Sequence, residues 1–548
     1  AFFADGIQDD VLTSLGKIKD LKVIARASVM DYRGGRVAGK IRQIGETLRV
    51  SHVLEGSVRR AADHVVVNVA LIDTRDERQV WSNRYERTLH DALSLQGELA
   101  VDIARELRAT LNPAEASVAA AKPTDNAEAY LLYLRARESE SADYNAAQHQ
   151  ATMKLYEQAV DLDPKFALAR ARLSLACSPL LNSVNANTAL KTKARTEAEE
   201  ALRLRPDLGE AHLAVAQYYL WGERDHERAL AELARTADLL PNSAEVPLTA
   251  AYIYKQQNKW RERVAALRRA ESLDPRNERV LGFLALTLRW LREWREALET
   301  FDRYAVIERR IPAEFLRWVR ANDEFRMSGD IQALKKAIAP REESHAPENP
   351  DWLNEMAYQV AGLERDYREA ARRLAAVPPQ LFNNYSYPAE AHSKPFHEAL
   401  LAVASKTDVA RTKQALEIAC QELETHLSSA EQAHDHQALS DLGVLYAFSG
   451  RKADAIRAAA RAVDVTKGST IENNEALCAL ALVYAQSGEQ EKAIDLIEQL
   501  LTAPSELQRG AIYNMTLIDL KWRWVWDPLR SNPRFQKLLA GPEPKTVY

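Results

Sequence analysis

Glycine is scarce in this chain, 19 of 548 residues, against roughly 7% in average proteins. Loop-rich β architectures, collagen-like repeats and low-complexity segments need more of it, so a mainly α protein is expected. Cysteine is scarcer still: Cys177, Cys420 and Cys478 lie far apart, lack metal-ligand spacing and cannot all pair within one chain. No apolar run reaches the length of about eighteen residues that a membrane helix needs, and no charged, apolar, small-residue leader opens the chain. A dominant charge sign is also missing. Basic residues number 73 and acidic ones 78, net −5, which leaves no global footprint for nucleic acid or anionic lipid. Apolar residues make up 46% and charged residues 28%, enough to bury large cores and remain soluble. The length suits a long repeat array joined to a small domain.

Residues 1–112 mix helical and strand periods, whereas the chain after about 125 keeps only the helical one. Ile7, Val11, Leu15 and Ile18 share a helical face, and Leu21-Lys22-Val23-Ile24-Ala25 reads as a short strand. Ile41, Ile44 and Leu48 mark a second helix. Val53 to Val58 and the alternating Val65, Val67, Val69 and Leu71 read as a hairpin, and Gln79 to Ser82 as a third strand. A helix from about Leu93 to Leu111 stops at Asn112-Pro113.

Three stretches here, "FFADGIQDDVLTSLGKIKDLKVIARAS", "IGETLRVSHVLEGSVRR" and "VWSNRYERTL", resemble the small α/β domain related to the amino-terminal domain of TolB and to FlgO. Val53 to Arg60 is the most specific part. The resemblance implies an additional first strand before Ala1, so Ala1 is expected to lie inside a longer protein. It also implies an upstream winged-helix, cyclase or kinase output module, usually beyond a membrane helix, and tetratricopeptide repeats (TPR) downstream.

The rest of the chain supports such repeats on its own. Pro164, Pro206, Pro241 and Pro275 recur at intervals of 42, 35 and 34, and a tetratricopeptide helix pair takes 34 residues. Ala159 to Pro164, Ala201 to Pro206 and Ala270 to Pro275 each end a second helix with an alanine, a leucine and a helix-stopping proline. Later units keep the small and aromatic positions: Gly443, Tyr446, Ala455 and Ala459, then Ala481, Tyr484 and Ala493, with turns at Gly450 and Gly488. The expected organisation is an α/β domain at 1–112, a linker at 113–124, a TPR superhelix at 125–310, degenerate helical repeats with an irregular connection at 311–435, and terminal TPR units with a cap at 436–541.

Chemical motifs are few. Gly34 to Lys40 follows the start of a phosphate loop, but Ile41 stands where Ser or Thr would ligate magnesium. His426, His434 and His436 cluster, as do His392 and His397, without a nearby Cys or a His-Glu-x-x-His phrase. No catalytic, cofactor or metal-binding residues are assigned. The repeat register instead places Tyr218, Trp221, Tyr252, Lys255, Arg289 and Trp290 on the inward side of consecutive first helices, a candidate peptide groove. On that reading, replacing Trp221 or Trp290 by alanine spares the melting temperature and weakens partner capture. The chaperone-type carboxylate clamp is absent, since Tyr218, Tyr252 and Leu286 fill its positions.

The expected function is a non-catalytic protein- or peptide-binding scaffold or sensory region of a bacterial signalling protein. Alternatives are a cell-envelope assembly scaffold, or the substrate-recruiting arm of an enzyme whose cyclase or kinase domain lies upstream. Expected partners are a protein or peptide in the groove and a possible second copy in a homodimer, with no nucleic acid, and a membrane only through an upstream segment. The resemblance implies the periplasmic side of a membrane-anchored protein, with the cytoplasm as the alternative.

Overall fold

The computed structural model describes residues 2–32, 40–61, 64–88, 95–109, 121–140, 146–181, 188–308, 311–339, 350–379, 392–406, 408–429, 432–505 and 512–548. It divides into two compact units, Ala1–Val280 and Leu281–Tyr548. No helix among these residues is long and apolar enough to cross a membrane.

The first unit opens with the helix Phe2–Gly16, the short helix Arg26–Val29 and the helix Ile41–Leu48. Strands β1 (His52–Ala61), β2 (His64–Asp73) and β3 (Gln79–Thr88) form an antiparallel sheet in that order, followed by the helix Leu95–Glu106. The alternation in β2 buries Val65, Val67, Val69 and Leu71, as a one-face-buried strand requires. The expected strand at Leu21 to Ala25 joins no ladder. A strand needs partners for its N–H groups, and the Val23 N–H donates instead to Oδ1 of Asn242, 3.3 Å away in a later loop.

Four helical hairpins follow: Ala127–Ser139 with Ala146–Leu162, Ala167–Leu181 with Thr188–Leu204, Gly209–Tyr218 with His226–Leu239, and Glu245–Gln256 with Trp260–Leu273. Every second helix stops just before the expected proline. One core joins the sheet to the hairpins, since Ile7, Val11, Val67, Leu99 and Ile103 belong to the same cluster as Tyr130, Tyr133, Tyr156 and Phe166.

The fifth hairpin, Glu278–Trp290 with Trp294–Ile307, starts on the last residues of the first unit. The second unit continues with Ala313–Ser328 and Ile331–Ile338, Pro350–Glu364 and Tyr367–Ala376, and Lys394–Ser405 and Val409–Leu427. Hairpins therefore persist through the segment whose repeat signature is weak. His436–Phe448 with Lys452–Val465 and Thr470–Gln486 with Gln490–Leu501 complete the series. Gly443 sits where the two helices of the ninth hairpin meet, and a Cβ there would lie 3.1 Å from both the Cβ and the backbone N of Ala459, so small residues let these helices approach. Turns between paired helices use the left-handed region at Arg224, Asn258, Arg292, Arg365 and Lys406 as well as at Gly329, Gly450 and Gly488. The five side-chain-bearing residues accept a local penalty of about 1 kcal/mol each for a tight turn that packing over-determines.

The chain ends in the helix Leu517–Trp522, a 3-10 helix Trp524–Leu529 and the helix Pro533–Ala540. One face of this segment is interior. Leu520, Trp526, Leu529 and Phe535 are fully buried with Leu482 and Ile497 of the tenth hairpin, while Ile518 and Trp522 pack on the sixth hairpin's core. Arg326 pairs with Asp519 at 3.4 Å, both side chains almost completely buried, and Arg365 forks onto Asp527 at 2.7 and 2.8 Å. Arg292, in the turn of the fifth hairpin, donates to the carbonyls of Leu500, Leu501, Ala503 and Met515 at 2.6–3.2 Å and to Oγ1 of Thr546.

Candidate functional site

The six residues expected to line a groove fall in both units, and each group is described by itself. In the first unit, the helix Gly209–Tyr218 runs directly into a π-helical turn, Tyr219–Glu223, closed by Arg224 at φ 58°. The repeat between Pro206 and Pro241 holds 35 residues where the next holds 34, and the wider turn absorbs the extra one. Gly222 is required in it, because a Cβ there would lie 2.8 Å from the Tyr218 ring. Tyr218 is buried and its hydroxyl donates to Oε1 of Glu223 at 2.9 Å. Burial, then the Glu223 carboxylate, hold the phenol above its usual range.

Trp221 is half-buried and meets Tyr252, from the first helix of the next hairpin, edge to face with ring centres 5.3 Å apart. Both pack against the core made by Leu213, Leu220, Leu233, Val246 and Ile253. The Arg224 guanidinium lies 5.9 Å from the Trp221 ring centre and that of Arg228 lies 4.4 Å from Tyr219, within cation–π range. Arg228 is also held by Asp225 at 2.6 Å and by Glu223. Tyr252 accepts a long hydrogen bond from Arg279 at 3.5 Å, and Arg279 pairs with Glu245 at 3.2 Å. Nε2 of Gln217 donates to Oγ1 of Thr249 at 3.4 Å, joining the same two first helices. Lys255 is half-buried one turn beyond Tyr252. The structure thus brings Trp221 and Tyr252 together and adds Tyr219, Arg224 and Arg228, which sequence reasoning missed. The 35-residue interval was their signal.

In the second unit, Arg289 bonds Asp323 of the next first helix at 2.9 Å, with side chains 13% and 0% exposed. Trp290 is only 3% exposed, and its carbonyl accepts the Ser505 N–H at 3.2 Å. It is a packing residue. The expectation that Trp290→Ala leaves folding intact is therefore corrected, because the chain around Leu500 to Ser505 runs against this hairpin.

Among the other motifs, Gly34 to Gly39 lie outside the described residues, and Ile41 is buried at the start of its helix. His426 bonds Asp435 at 2.9 Å. His392 is fully buried, with Nδ1 2.8 Å from Asp441, and His397 lies 3.1 Å from the Tyr358 hydroxyl. Among the described residues no group of three His, Cys, Asp or Glu is placed to hold a metal. Cys177, Cys420 and Cys478 are buried and unpaired as disulfides, and burial pushes the Cys177 thiol up to about 12.

A tetratricopeptide-repeat family pattern matches residues 475–506, which contain most of the tenth hairpin. The putative adenylate cyclase 3 of Rhizobium meliloti (strain 1021) is 33% identical over 225 residues, 41% of this chain and 38% of that protein. The chain thus spans well under half the length of that relative. Among solved structures, PilW, a type IV pilus biogenesis factor, matches at 16% identity over 48% of this chain and 96% of its own, TM-score 0.28. PilF of Pseudomonas aeruginosa matches at 18% over 40% and 93%, TM-score 0.30. YrrB, a TPR protein with an unusual peptide-binding site, matches at 17% over 35% and 96%, TM-score 0.23. Scores this low leave the fold to be argued from the hairpins themselves, whose spacing and small-residue contacts give a mainly α solenoid of tetratricopeptide-like helix pairs with a small three-stranded sheet near the amino terminus.

Proposed function

We propose that the chain is the peptide-binding, sensory region of a bacterial signalling protein, with the third and fourth hairpins as its recognition surface. The observation that carries this is the Trp221–Tyr252 pair: two large, half-buried aromatics on neighbouring first helices, flanked by Arg224. Trp, Tyr and Arg are the residues most enriched at binding hot spots, since they bury much area and keep a polar handle. The partial match to a protein named a putative adenylate cyclase, together with the TolB- and FlgO-related resemblance of the first 112 residues, supports a signalling setting. In this reading a bound partner shifts the population of hairpin arrangements, and the α/β part passes that shift to an upstream output module on the far side of a membrane. Reporter fusions to the full-length protein test the periplasmic placement, which strong activity of a cytoplasm-only reporter at the carboxy terminus contradicts.

Peptides selected from a displayed random library on the intact chain give a direct test of the surface. Trp221→Ala and Tyr252→Ala are each expected to weaken the selected peptides by about 2 kcal/mol, roughly thirtyfold, while circular dichroism keeps the helical signal. Selected peptides that bind both variants as tightly as the parent chain overturn this assignment.

A further inference from the structure

The junction between the α/β part and the hairpins is unusually charged for a buried surface. On the helix Phe2–Gly16, Asp9 and Asp10 are adjacent in sequence and only 6% and 8% exposed. Asp9 pairs with two guanidinium groups, Arg26 at 3.3 Å and Arg137 at 3.3 Å. Asp10 is left with a neutral donor, the hydroxyl of Tyr130 on the first hairpin. Beyond them, Arg137 and Arg172 each lie 3.7 Å from Glu140, which also accepts from Tyr156. Lys17 reaches Glu210 of the third hairpin at 3.9 Å, and Asn242 ties the carbonyls of Gly16 and Ile18 at 3.1 and 3.3 Å. The helix Leu95–Glu106, packed on the other side, turns its acids elsewhere: Asp102 accepts from Tyr85 and Glu98 from Arg87 on β3.

Of these two neighbouring carboxylates out of water, Asp9 holds the direct ion pairs and Asp10 only a neutral hydroxyl, so the charge on Asp10 is the costlier one. We propose that Asp10 is the proton-binding element of a latch: protonated, it seats the helix Phe2–Gly16 firmly on the first hairpin, and ionised, it loosens that seat. Several facts single out Asp10. Burial pushes its carboxyl up to about 6, against the opposing pull of the Tyr130 hydrogen bond and of Arg137. Glu140 is held below its usual range, because Arg137 and Arg172 outweigh its burial, and Glu210 likewise, because Lys17 and Arg172 outweigh its own. Those two remain charged where Asp10 takes the proton. The sign follows from linkage. A carboxyl whose folded value, about 6, exceeds its unfolded value of 3.8 binds protons more tightly in the seated state, so the seat is firmest below the unfolded value and weakens as pH rises through about 6.

Hydrogen exchange on the intact chain, read by mass spectrometry and corrected for the intrinsic pH dependence of exchange, tests this. Between about pH 5 and about pH 8, protection of Phe2–Gly16 is expected to fall about tenfold, the share above pH 5 of the roughly hundredfold total that a two-unit displacement permits. The helix Thr470–Gln486 serves as the internal reference and is expected to stay constant. Asp10→Asn keeps an acceptor for Tyr130 without a titrating group, so its protection is expected to be high and flat across the range. A flat profile in the parent chain, or a fall that survives in Asp10→Asn, overturns the latch. Tyr130→Phe supplies an independent check that does not alter the acid: without the hydroxyl, ionised Asp10 loses its donor and the midpoint moves to higher pH, whereas an unmoved midpoint also overturns it.

Discussion

Arg292→Leu is expected to cost the second unit about 4 kcal/mol or more of stability, enough to unfold a marginal domain outright. The guanidinium is 2% exposed and donates to four backbone carbonyls, two of them from Leu500 and Leu501 at the end of the tenth hairpin. The bonds to the Leu500, Leu501 and Met515 carbonyls are buried, and each buried acceptor left unmet costs roughly 1–3 kcal/mol. Burial pulls the guanidinium below its usual value, countered by Glu543 at 3.7 Å. Arg292→Lys is expected to restore little, because an ammonium has three donors on one atom where the planar fork serves separated carbonyls. Urea denaturation followed by tryptophan fluorescence gives the measurement. A transition in Arg292→Leu coincident with that of the parent chain shows that the carbonyls find other donors.

Trp290→Ala is the second large effect, expected at about 3–5 kcal/mol of folding stability for a buried indole. Trp221→Ala, which removes a half-buried side chain, is expected to cost less than half as much. The contrast is informative because both residues stand 15 positions after a repeat-ending proline, 221 − 206 and 290 − 275. Differential melting of the two variants decides the matter: equal shifts place both indoles in the same kind of environment and remove the distinction drawn between them.

That pair also shows how far the sequence could be read. Proline spacing, small residues at Gly443, Ala455 and Ala459, and the alternation in β2 are local signals, and the helices, their turns and the three-stranded sheet follow from them. The helix ends before Pro164, Pro206, Pro241 and Pro275 were legible for the same reason. The fate of Trp290 was not, because the residues that enclose its hairpin come from Leu500 to Ser505 and from Met515, remote in the chain and carrying no mark of where they pack. Asp9 and Asp10 did leave a trace. Asp10 falls three residues after Ile7 and one before Val11 on an apolar face, a position where a charge is out of place, yet only the fold reveals that Tyr130 meets it and that Arg137 meets Asp9. The strand expected at Leu21 to Ala25 had the right composition and no neighbour to pair with, a condition that composition does not encode.

The π turn at Tyr219–Glu223 makes the proposed recognition surface sensitive to chain length as well as to chemistry. Each residue added to or removed from a helix rotates everything beyond it by about 100°, and here a single surplus residue is accommodated immediately before the indole meets Tyr252. A three-nucleotide deletion inside the codons for Tyr219 to Gly222 returns the repeat to 34 residues and regular helix while swinging the aromatic away from its neighbour. On the proposed reading, length at this point therefore acts on binding separately from the chemistry of the side chains.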